Sequence, residues 1–76
     1  MKELIEYIAQ ALVDNPEEVE VSEIEGEHSV VIELKVAKSD IGKVIGRKGR
    51  NVQAVRTILS AASAKTKKRA VLEIVE

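Results

Sequence analysis

The run Asp40-Ile41-Gly42-Lys43-Val44-Ile45-Gly46-Arg47-Lys48-Gly49-Arg50-Asn51-Val52 sets two helical half-patterns on either side of a Gly-Arg-Lys-Gly turn. Ile41, Val44 and Ile45 recur at helical spacing before the turn, and Val52, Val55, Ile58, Leu59 and Ala62 do so after it. Gly46 and Gly49 break the pattern and let the main chain approach a phosphate closely. Arg47 and Lys48 between them supply two cations, and a helix beginning near Arg50 presents N–H groups at its start. A turn needs nothing cationic at its tip, whereas a clamp on a nucleic-acid backbone does.

Upstream of this turn, Leu4, Ile5, Ile8, Ala9, Leu12 and Val13 fall at spacings of three and four, predicting an amphipathic helix over residues 2–13 that Asp14-Asn15-Pro16 ends. Val19 and Val21 then alternate with polar residues, but Ile24 is out of step by one, which predicts a bulge or an early strand end. Glu25-Gly26-Glu27-His28 signals a hairpin. On the return, Val30, Ile32, Leu34 and Val36 face one way and Val31, Glu33 and Lys35 the other. Ser39-Asp40 reads as the cap of the short helix through about Ile45. The long helix runs from about Arg50 to Ala64, and after the basic connection Lys65-Thr66-Lys67-Lys68-Arg69 a last strand, residues 70–75, turns Leu72 and Ile74 inward. The order is αββααβ. With no internal repeat, linker or low-complexity segment, the 76 residues read as one α+β domain whose three helices gather on one face of a three-stranded sheet.

The formal net charge of −1 conceals a segregation along the chain. Residues 1–34 hold ten acidic residues against one basic, whereas residues 35–69 hold eleven basic residues against Asp40 alone. The second segment, at about +10, can attract phosphates if the fold gathers it on one surface. There is no cysteine and a single His28, which excludes disulfides and leaves no ligand set for a zinc centre. No cofactor is called for. No apolar run has signal or membrane-spanning length, so the expectation is a cytoplasmic protein with no membrane partner. Nor is there a cysteine nucleophile, a histidine pair or a carboxylate cluster in the basic half, and no catalytic residue is assigned.

Gly42, Gly46 and Gly49 are spaced G-x-x-x-G-x-x-G, which fits neither the dinucleotide fingerprint nor the Walker loop. The helices on both sides also differ from the strand-to-helix setting those loops require. Two hydrophobic residues, Gly-x-x-Gly and a hydrophobic residue three further on, between helices, instead resemble the KH domain, whose GXXG loop clamps a single strand. Val44-Ile45-Gly46-Arg47-Lys48-Gly49-Arg50-Asn51-Val52 carries that match. The αββααβ order resembles the type II KH fold, with a mixed sheet, over essentially the whole chain. The chain is similar in length and motif to the small bacterial single-KH proteins of the KhpA family.

That resemblance implies a single-stranded RNA, or alternatively single-stranded DNA, lying beside an aliphatic groove. Gly46 and Gly49 would admit the backbone and Arg47 and Lys48 would hold phosphates, with Lys43 and Arg50 as flanking charge. Ile41, Gly42, Ile45, Val52 and Val36 are similar in position to groove residues that receive bases. It further implies a homodimer, or a heterodimer with a larger KH-containing protein of the KhpB (Jag-type) family, and a post-transcriptional regulator or RNA chaperone. The rival reading is a protein-interaction module within a ribonucleoprotein assembly. Independently of the resemblance, Tyr7 is the only aromatic residue, so the stacking platforms of RNA-recognition motifs and OB-folds cannot be built here.

Overall fold

In the computed structural model, which describes residues 1–75, the first apolar stripe forms helix α1, Lys2–Leu12. Ile5 and Ala9, one turn apart, are buried, and Leu4 and Tyr7 face outward. The helix stops short of Pro16 because a residue preceding proline is driven out of the helical region, and Pro16 itself opens a 3₁₀ turn, Pro16–Glu18.

Strand β1, Glu20–Glu25, pairs antiparallel with β2, Ser29–Lys35, which pairs in parallel with β3, Arg69–Val75. The sheet order is β1-β2-β3. A parallel neighbour demands a long crossover, and helices α2, Ile41–Ile45, and α3, Arg50–Ser63, supply it. Ile5 and Ala9 from α1, Val44 from α2, and Val52, Val55 and Leu59 from α3 pack on Val21, Val30, Ile32, Leu34 and Leu72 of the sheet. All three helices therefore cover one sheet face, as the hydrophobic pattern predicts.

Three expectations need correction. The β1–β2 register runs unbroken from Glu20↔Lys35 to Glu25↔Val30, so there is no bulge at Ile24 and no early strand end. Ile24 lies opposite Val31, which lies opposite Val71, and the three form an aliphatic row on the uncovered face. The change of step in the sequence marks a residue serving that second face. On α3, Ile58 is 40% exposed and Ala62 only partly covered. The buried line is instead Val52, Val55, Leu59 and Ser63, and Ser63 enters it because its hydroxyl donates to the Ser60 carbonyl at 3.1 Å.

The third correction concerns Asp40, which stands at the N-cap position of α2 but makes no capping bond with its side chain. Its carboxylate, 1% exposed, reaches across to the end of α1. There it accepts the backbone N–H of Asp14 at 3.3 Å, the N–H of Asn15 at 3.0 Å and the Asn15 side-chain amide at 3.0 Å. Groups leaving a helix end without intrahelical or ladder partners need such an acceptor when they are covered. Asp40 thus fastens α1 to the segment that leads into α2.

Burial alone would raise the Asp40 pKa, but the Asn15 side-chain bond, the two backbone N–H groups and the charge of Lys43 outweigh it and hold the pKa below 3.8. A carboxyl depressed in the folded state stabilises fully above its unfolded value and loses that contribution as pH falls through the folded one. Thermal melts should therefore show the wild type losing stability as pH drops below 3.8, and losing it more steeply than Asp40→Asn, which has no charge to titrate there. Parallel curves for the two proteins would show that the carboxylate is not the fastening.

Candidate nucleic-acid interface

The α2 helix ends as the Gly46 N–H donates to the Gly42 carbonyl at 2.9 Å. Gly46 then adopts φ 77°, ψ 171°, a region essentially restricted to glycine. A Cβ there would stand 2.7 Å from Asn51 Cγ and 2.9 Å from the Asn51 backbone nitrogen, so space and backbone angle both select glycine. Arg47–Gly49 form a single 3₁₀ turn in which the Gly49 N–H returns to the Gly46 carbonyl at 3.1 Å. Lys48 and Gly49 are both left-handed, at φ 57° and 73°. Two successive left-handed residues swing the chain into α3. Arg47 and Lys48 are left exposed at the tip.

Holding lysine in the left-handed region costs about 1–2 kcal/mol, and the turn is fixed from the far side by Asn51. The Asn51 side-chain amide donates to the Lys43 carbonyl at 2.9 Å, tying the first turn of α3 to α2. Sequence reading does not assign Asn51 a role. Its signal is an amide-bearing residue two positions after the second glycine, where it can bridge back. The expectation of free N–H groups at the start of α3 is also trimmed, because those of Gly49 and Arg50 close the 3₁₀ turn onto Gly46 and Arg47.

The cations are not equivalent. Among the described residues Arg47, Lys48 and Arg50 form no salt bridge, whereas Lys43 Nζ lies 2.9 Å from Asp14 and 3.7 Å from Asp40. The bond to Asp14 is the main cause that raises the Lys43 pKa above 10.5. Lys68 is likewise paired, with Glu25 at 3.1 Å. Within the stretch around the glycine turn, the cations left unpaired among the described residues are thus Arg47, Lys48 and Arg50.

Of the residues expected along a groove, Ile45 is 38% exposed, Ile41 partly so, and Gly42 lies at the surface. A Cβ on Gly42 would meet nothing within 4 Å. Val36 and Val52 are 4% and 7% exposed and belong to the core beneath that surface, because one continues the inward face of β2 and the other the buried line of α3. Among the described residues no cluster of His, Cys, Asp and Glu could hold a metal ion, and no helix is long and apolar enough to cross a membrane.

Residues 2–74 match the family model described as KhpA/KhpB, KH domain. The chain is 59% identical over 75 residues to the RNA-binding protein KhpA of Caldanaerobacter subterraneus subsp. tengcongensis, covering 99% of this chain and 100% of that one. It is 56% identical to the protein of that name from Clostridium acetobutylicum, with the same coverage, and 54% identical to the one from Aquifex aeolicus, covering 100% of this chain and 96% of the relative. No solved structure matches the chain.

Proposed function

The chain belongs to the KhpA/KhpB KH-domain family, and from that we propose that it is a non-catalytic protein that binds single-stranded RNA through the Gly46–Gly49 turn. The observation that carries the reading is the tip itself: a backbone at Gly46 that only glycine fits, two exposed cations without carboxylate partners among the described residues, and a side chain on α3 that locks the turn. Gly46 and Gly49 admit the strand, Arg47 and Lys48 take its phosphates, and Arg50 adds charge at the start of α3. Ile41, Gly42 and Ile45 supply the apolar surface against which bases lie, supported from below by Val36 and Val52. The relatives named above are RNA-binding proteins by name, which supports the choice of ligand.

A single clamp of this size holds few nucleotides, so useful affinity calls for a second module. We read that module as a second copy of the chain or a larger KH-containing protein of the KhpB type, with the complex acting in the cytoplasm on messenger or regulatory RNA. Ile58, left at the surface of α3, offers an apolar point for such pairing.

Gly42 provides a test with two opposed readouts. Alanine in place of a helical glycine stabilises by about 0.5–1 kcal/mol, and here the added methyl meets nothing within 4 Å among the described residues beyond its own helical backbone and chain neighbours. Gly42→Ala should therefore melt at a higher temperature than the wild type while binding a fluorescent oligouridylate several-fold more weakly, because the methyl stands where a base or ribose must pass. Equal RNA affinity would remove α2 from the binding surface. The wild type should also prefer that oligonucleotide to an RNA duplex of equal length, and indifference between the two would overturn the single-strand reading.

A further inference from the structure

Lys43 lies one helical turn before Gly46 on α2, and its side chain is 47% exposed, yet its charge is already occupied. Asp14 Oδ2 sits 2.9 Å from its ammonium, and Asp40 Oδ1 lies 3.7 Å away. The Asp14 carboxylate is exposed, but its backbone is fixed, the Asp14 N–H being donated to buried Asp40. The lysine's backbone is fixed as well, its carbonyl accepting from Asn51. Both ends of the pair are thus anchored by the two bonds that position α2 and the glycine turn.

We propose that Asp14 acts as an internal substitute for phosphate, withholding Lys43 from the RNA, so that the free protein clamps a strand with the turn cations alone. This rests on the glycine turn being the RNA site. The Asp14 side chain is 73% exposed and Lys43 about half exposed, and such a pair is weak enough for one substitution to release the lysine toward the strand. Asp14 therefore sets affinity without touching RNA. A weakened clamp suits a protein that engages RNA through two linked modules, where each must let go readily.

Asp14→Asn removes the carboxylate charge while keeping the backbone N–H that Asp40 binds. Titrated with fluorescent oligouridylate, this variant should bind roughly two- to five-fold more tightly than wild type. Its plot of log affinity against log salt should be steeper by about 0.7, the value of one further phosphate on a single strand. Deleting a negative charge near the site favours any polyanion, so the deciding comparison is Asp14→Asn/Lys43→Gln against Lys43→Gln, in which the glutamine keeps an amide donor beside Asp40. There the steeper slope should vanish, leaving only the gain that one fewer negative charge gives any polyanion, and Lys43→Gln alone should leave the wild-type slope nearly unchanged. A steeper slope that persists without Lys43, or an Asp14→Asn variant identical to wild type, overturns the proposal. So does a loss in Lys43→Gln as large as that from removing Arg47. A wild type that fails to bind RNA sinks the clamp as well, whereas clamp-dependent binding that ignores Asp14 sinks this proposal alone.

Discussion

Gly46→Ala should destabilise the fold by about 3 kcal/mol, combining the strain of a non-glycine residue at this backbone angle with overpacking against a fixed neighbour. The contact that matters is 2.9 Å to the backbone nitrogen of Asn51, which no rotamer change can relieve. For a domain of this size the melting temperature would fall by roughly 10–20 °C. Gly49→Ala is the internal comparison. Its φ of 73° is also left-handed, but a Cβ there would come no nearer than 3.9 Å to Val52, leaving only the backbone cost of about 1–2 kcal/mol. Calorimetric melts of the two variants should therefore differ clearly. If they fall together, the packing of Asn51 against Gly46 is not what shapes the turn.

The second large effect concerns binding with the fold left intact. Arg47→Asp/Lys48→Asp reverses two exposed charges that have no salt-bridge partner among the described residues, so little folding energy is at stake. Aspartate also tolerates the left-handed conformation of Lys48 better than most residues. Hydrogen bonds to a charged group are worth about 1.5–3 kcal/mol each, so losing two should weaken oligouridylate binding at least about 100-fold. Circular dichroism and melting should remain near wild type. A variant that binds within a few-fold of wild type would leave the cations at the tip without a role.

Much of this architecture is written in local pattern. The spacing of Leu4, Ile5, Ile8 and Leu12 marks α1, Pro16 marks where it stops, and the alternation through Val30, Ile32 and Leu34 gives β2 its inward face. The glycine turn is equally legible, because only a short list of backbone angles explains two glycines flanking two cations between helices. What sequence hides is partnership across the fold. Ile24 looks like a break in a strand until its neighbours Val31 and Val71 show that it serves the uncovered sheet face. Asp40 looks like a helix cap, since caps are local, while its partners lie 25 and 26 residues away at the end of α1. Lys43 looks like one more cation beside the turn, although Asp14, 29 positions earlier, has already claimed it. Ile58 looks like a core residue of α3, yet the buried line passes through Leu59 to Ser63, and a serine can be buried once Ser60 accepts its hydroxyl. The uneven charge along the chain marks a basic segment, but only the ion pairs tell which of its charges are already engaged within the protein.

Salt dependence reads the remaining charges directly. Neutralising one phosphate on a single strand contributes a slope near −0.7 in log affinity against log salt. Titrations of the wild type and of Arg47→Asp/Lys48→Asp with oligouridylate over a range of salt, both proteins verified as folded, should give lines whose slopes differ by about 1.4, the shallower belonging to the variant. Two parallel lines, whatever their separation, would contradict a phosphate clamp at Gly46-Arg47-Lys48-Gly49.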